Sequence, residues 1–124
     1  MPSPIPSTKP LFLFVFRAPQ NQPDPTPEEM QKIFGSWMAW VEALKAKGNY
    51  HGGQPLAEAG KVLRGPRGSR LTDGPYVESK EIVGGYMLIE ADNLDAATVL
   101  ARDCPGLAMD GTVEVRPIEV IPGM

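Results

Sequence analysis

Much of the usual equipment for chemistry is missing from this sequence. There is one cysteine, Cys104, so no disulfide can form within the chain, and a reducing compartment is expected. There is one histidine, His51, and no spacing of His, Cys and acidic residues resembles a metal site. Twelve Lys and Arg stand against fifteen Asp and Glu, a net charge of −3, and only Arg64, Arg67 and Arg70 cluster. A chain that neutralises phosphates needs gathered cations, so a nucleic-acid wrapper is excluded. No apolar run approaches the length of a membrane span. The first ten residues, Met1 to Pro10, hold four prolines and too little apolar length for a signal peptide, and read as a flexible arm on a cytoplasmic protein.

What is present suits one compact domain over residues 11–124, with 42% hydrophobic residues to fill a single core. Leu11 to Phe16 is an unbroken apolar run, too short for a helix, and predicts a strand buried on both faces. A Pro-rich loop follows. Thr26, Pro27 and Glu29 then supply an N-cap, a first-turn proline and the far half of a capping box. Met30, Ile33, Phe34, Trp37, Val41 and Leu44 recur at helical spacing, widened by Met38 and Trp40, and Gly48 is placed to end the helix. The two tryptophans read either as an aromatic platform or as a helix packed on a sheet.

Asn49 to Leu56 predicts a short strand broken at Gly52-Gly53, where a bulge or a close backbone approach is expected. His51 lies in it, as a surface group or as a proton carrier suited to neutral pH. Lys61 to Arg64 and Arg70 to Thr72 form the arms of a hairpin, whose arginines either receive an anion or are simply solvated. Ile82 to Ile89 is the second strand apolar on both faces, with Gly84-Gly85 leaving room for a ligand floor. Asp92 or Asn93 caps a helix from Leu94 to Cys104, whose buried edge is Ala97, Leu100, Ala101 and Cys104. Thr112 to Val120 is the last strand, held to an edge by Pro117.

Between hairpin and second apolar strand lies Leu71-Thr-Asp-Gly-Pro-Tyr-Val-Glu-Ser-Lys-Glu81. Asp73-Gly74-Pro75 is turn chemistry, and predicts a rigid loop holding Asp73, Glu78, Lys80 and Glu81 beside the sheet. Asp73 then either serves a site of fixed charges or only caps its own turn.

The element order predicts an α+β fold of the ferredoxin-like βαββαβ kind with an inserted hairpin, the two apolar strands central and the others at the edges. Two helices cover one face of such a sheet. Its other apolar face calls for a second copy, which predicts a homodimer, a dimeric α/β barrel.

Phe16-Arg17-Ala-Pro19, Ser36-Trp-Met-Ala-Trp40, Thr72-Asp-Gly-Pro-Tyr-Val-Glu-Ser-Lys-Glu81, Gly85-Tyr86 and Val113-Glu-Val-Arg-Pro117 together make the chain resemble the YCII-related, or DGPF-domain, family from about Leu11 to Val120. The resemblance implies dimeric ferredoxin-like proteins in which a helix histidine and the Asp of the DGP turn act as an acid/base pair. Asp73 matches that Asp. Trp37 occupies the histidine position, which implies a Trp-containing branch without a His–Asp pair. The first functional expectation is a small-molecule protein: Asp73 relays a proton, Trp37 and Tyr76 line an apolar pocket with His51 nearby, and Lys80 or an arginine holds an anionic, partly aromatic ligand. It calls for no cofactor and no metal. The alternative is a non-enzymatic regulatory or protein-interaction module, since relatives are associated with alternative sigma factors in transcription initiation.

Overall fold

The computed structural model describes residues 9–20, 22–74 and 81–123. Strand β1 (Leu11–Pro19) leads through the loop to helix α1 (Pro27–Ala46), and β2 (Tyr50–Pro55) returns along the sheet. The strands β3 (Gly60–Arg64) and β4 (Arg70–Gly74) form a separate hairpin around a short 3-10 turn at Pro66–Gly68. Then come β5 (Glu81–Glu90), helix α2 (Leu94–Ala101), a 3-10 segment Pro105–Met109 and β6 (Thr112–Pro117). The main sheet is antiparallel, in the order β2-β5-β1-β6. The two strands apolar on both faces are central and the glycine- and proline-bearing strands are at the edges, as the sequence predicts.

Helix α1 begins with the full capping box: Thr26 Oγ1 accepts from the Glu29 amide at 3.2 Å, and Glu29 Oε1 accepts from the Thr26 amide at 3.0 Å. Those bonds to Thr26 hold the fully exposed Glu29 carboxyl below its ordinary range. At the other end Gly48 takes φ +78°, its amide reaches Lys45 O and the Asn49 amide reaches Leu44 O, the paired bonds of a Schellman cap. Asn93 caps α2 by accepting from the Ala96 amide at 2.8 Å. This helix ends at Ala101, short of the expected Cys104, because Pro105 drives the residue before it to extended geometry, and Cys104 has φ −63° and ψ 124°. Strand β6 likewise ends at Pro117 rather than Val120; the Ile118 amide makes a last bond to Leu11 O at 2.9 Å, and Pro117, which has no N–H, stands where the edge strand needs no donor.

The core lies between the helices and one sheet face. Phe14 and Ile89 are fully enclosed, with Phe12, Met87, Trp40, Leu44, Ala97, Ala101 and Cys104 around them. Trp40 donates from Nε1 to Leu100 O at 3.3 Å and so ties α1 to α2. Of the expected α1 stripe, Trp40 and Leu44 are buried and Ile33, Trp37 and Val41 partly so, while Met30, Phe34 and Met38 are exposed. Spaced four residues apart, these three form a second row beside the core-facing one, and a flat sheet covers only one row. Among the described residues no helix is long and apolar enough to cross a membrane.

The interrupted strand behaves as its glycines predict. Gly52 takes φ +114° within the register shift between Tyr50 and Gly53. Gly53 lies so close to β5 that a Cβ there would fall 2.6 Å from Tyr86 O.

Candidate functional site

Successive residues of a strand point to opposite sides of the sheet, and at the end of β1 that alternation divides two environments. Phe16 faces the helices, where Trp37 meets it edge-on at 5.0 Å and Trp40 at 5.9 Å. Arg17 faces the other way. Between them the pairing with β5 slips: Phe16 stands opposite Gly85 but Arg17 opposite Val83, leaving Gly84 as the extra residue of a bulge. Bulges of this kind re-aim a side chain and sharpen the local twist.

Arg17 is held there by Glu114 of β6, Nη1 to Oε1 at 2.7 Å, with Arg116 Nε 3.9 Å from the other carboxylate oxygen. Arg17 is among the residues that line a cleft of about 550 Å³ where the hairpin joins the sheet. Leu56, Ala57, Val62, Ile82 and Val83 supply its apolar wall, and Glu58, Lys61 and Glu81 its other charges. Glu81 Oε2 accepts from Thr112 Oγ1 at 3.4 Å. A second cleft, of about 420 Å³, adjoins it along the hairpin and is lined by Ala59, Gly60, Lys61, Asp73 and Gly74. Lys61 belongs to both.

Asp73 and Gly74 are the last two residues of β4. Their partners in β3 are Lys61 and Gly60, and Gly74 does not take positive φ. The ladder, extended to the last residues of β4, takes both residues into the hairpin. The Asp73 carboxylate is largely exposed and ion-paired with Lys61 across the hairpin. Pro75, Tyr76, Glu78 and Lys80 lie outside the described residues.

Trp37 lies on the helix-covered side, against Phe16, Trp40 and Gly106, and lines neither cleft. His51 stands toward the opposite end of the sheet, its Nε2 3.8 Å from Glu90. Thus Trp37, His51 and Asp73 occupy three separate places. The expected Gly84-Gly85 floor is half filled: a Cβ on Gly84 would meet open space among the described residues, but Gln54 O would be 3.0 Å from a Cβ on Gly85. Arg64 and Arg70 face each other across the hairpin near its tip and do not line the clefts.

Sequence reasoning missed Arg17 and Glu114 as a pair. Both stand in segments that mark the resemblance, yet 97 positions separate them, and only the pairing of β1 with β6 brings them together. Burial raises the Cys104 thiol above its ordinary range, partly opposed by the Gly106 and Leu107 amides, so this cysteine is a packed hydrophobe and not a nucleophile. Among the described residues no three His, Cys, Asp or Glu side chains are grouped to hold a metal.

No curated protein matches the chain. The sequence profile of the YCII-related domain matches residues 12–122, which takes in β1 through β6, both helices and both clefts. The chain belongs to the YCII-related domain family.

Proposed function

We propose that this chain is a homodimeric, ferredoxin-like protein that binds a small anionic, partly apolar molecule in the cleft between the hairpin and the end of the sheet. The observation that carries the reading is Arg17: a half-buried cation, opposite a bulge in β5, among the residues of a cleft with an apolar wall. Small-molecule sites have that composition, mostly apolar with a few fixed polar groups. Asp73 and Lys61 on the adjoining wall give the site its acid/base group and a second cation. Exposed as it stands, Asp73 becomes a proton relay only when a ligand or a second copy closes it from water.

The dimer rests on the sheet face that no helix covers. Leu13 pairs with Leu88, and Val15 with Tyr86, so that an apolar strip runs across the two central strands. A second copy packed face to face would remove that strip from water.

The ligand reading is tested by a thermal-shift screen of aromatic carboxylates, lactones and hydroxyquinones on the full chain. A ligand at one hundred times its dissociation constant adds about 2.7 kcal/mol of stability, which such a screen detects easily. Stabilisation by acids in the set supports the reading; a flat screen across all three classes contradicts it.

A further inference from the structure

We infer that Arg17 is a carboxylate-specific anchor, positioned by Glu114, and that the cleft selects planar monocarboxylates over amides and over phosphates. This rests on the reading of the cleft as a small-molecule site and says which group recognises the ligand and which anions it rejects.

The geometry supplies the first half. A guanidinium is a rigid planar fork with five N–H donors, and its complement is a planar carboxylate. Glu114 engages Nη1 at 2.7 Å, which ties down one nitrogen of a side chain that belongs to the lining of the cleft and leaves the other guanidinium donors for a ligand. The side chain would otherwise be a long flexible rod. On the backbone side it is equally constrained, since its Cα is paired with Val83 on one flank and Thr112 on the other, next to the bulge at Gly84. Glu114 touches the anchor and not the cleft, so it is a positioning residue.

Charge supplies the second half. The cleft is lined by two cations, Arg17 and Lys61, and two anions, Glu58 and Glu81, and Glu114 and Asp73 stand behind the cations. With Arg116 behind Glu114 these groups still carry a surplus of negative charge, so a singly charged ligand beside Arg17 is opposed less than a doubly charged one. A phosphate monoester, close to doubly charged at neutral pH, meets carboxylates on either side and too little compensating charge. An amide of the same shape leaves the guanidinium without its charged partner.

Isothermal titration of the full chain with benzoate, benzamide and phenyl phosphate tests this. The wild-type chain should bind benzoate about tenfold or more above both other probes, the size of one charge-assisted hydrogen-bonded contact. Arg17→Lys, which keeps the charge but not the fork, should keep the melting temperature within a few degrees and lose about tenfold in benzoate affinity. Glu114→Gln should weaken benzoate and at the same time strengthen phenyl phosphate, a change of preference that a merely structural role would not produce. If benzoate binds and both variants keep its affinity and its preference, the anchor lies elsewhere and the inference falls while the cleft reading stands. The same follows if phenyl phosphate is preferred by the wild-type chain. If none of the probes binds, the cleft reading fails and the inference with it.

Discussion

Asp73 and Arg17 carry opposite charges and have opposite surroundings, and the difference decides what each can do. The Asp73 side chain keeps 85% of its exposure and the Lys61 side chain 62%, so their ion pair is solvated on most sides. Pairs of that kind contribute about 0.2–1 kcal/mol, because water already satisfies both partners and two side chains must be held still. Asp73→Asn is therefore expected to change stability by less than about 1 kcal/mol in denaturant unfolding. A loss of several kcal/mol would mean that the carboxylate has a structural partner beyond Lys61. Arg17 is different: its side chain is 32% exposed and its partner Glu114 is 42% exposed, half-way out of water, where salt and solvent screen the pair less.

At the scale of the element, the caps decide. Glu29 in the first turn of α1 has its carboxyl held low, first by the Thr26 backbone amide and then by the Thr26 side chain. A carboxyl whose folded pKa is depressed stabilises the fold above its unfolded pKa, and that contribution is lost as the pH falls through the folded value. The melting temperature should thus drop between roughly pH 5 and pH 3, and Glu29→Gln should flatten part of that drop; a profile unchanged by the substitution would show that the box is not formed in solution. Both helices, their caps and the edge or central place of each main strand were legible in the sequence, since caps and periodicities are local. The long-range terms were not. The sequence gives no sign that β4 extends its ladder through Asp73 and Gly74, because that depends on Gly60 and Lys61 arriving opposite them. The Arg17–Glu114 pair and the empty partner row of Met30, Phe34 and Met38 likewise depend on which surfaces the finished sheet offers.

Among the described residues the helices cover one face of the sheet and not the other, and neighbouring residues of β1 report on each. Phe14 is wholly enclosed beneath the helices, so Phe14→Ala should cost about 3–5 kcal/mol through lost burial and the cavity left behind. Leu13 points to the open face, and its partners there are Leu88 and Arg116. Leu13→Glu should leave the core intact, with a secondary-structure spectrum like that of the parent, while light scattering reports monomer in place of dimer. A parent chain that is monomeric at micromolar concentration would contradict the proposed dimer, and with it the reason for an apolar strip on that face.

The most direct test of the account is where a carboxylate lands on the folded chain. In a backbone-amide NMR titration of the full chain with benzoate, the shifts should concentrate on Arg17, Gly60, Lys61, Glu81 and Val83, around the hairpin cleft, and fade at the Trp37 indole and at His51. Shifts centred on Trp37 and the outer row of α1, with the hairpin cleft silent, would contradict it.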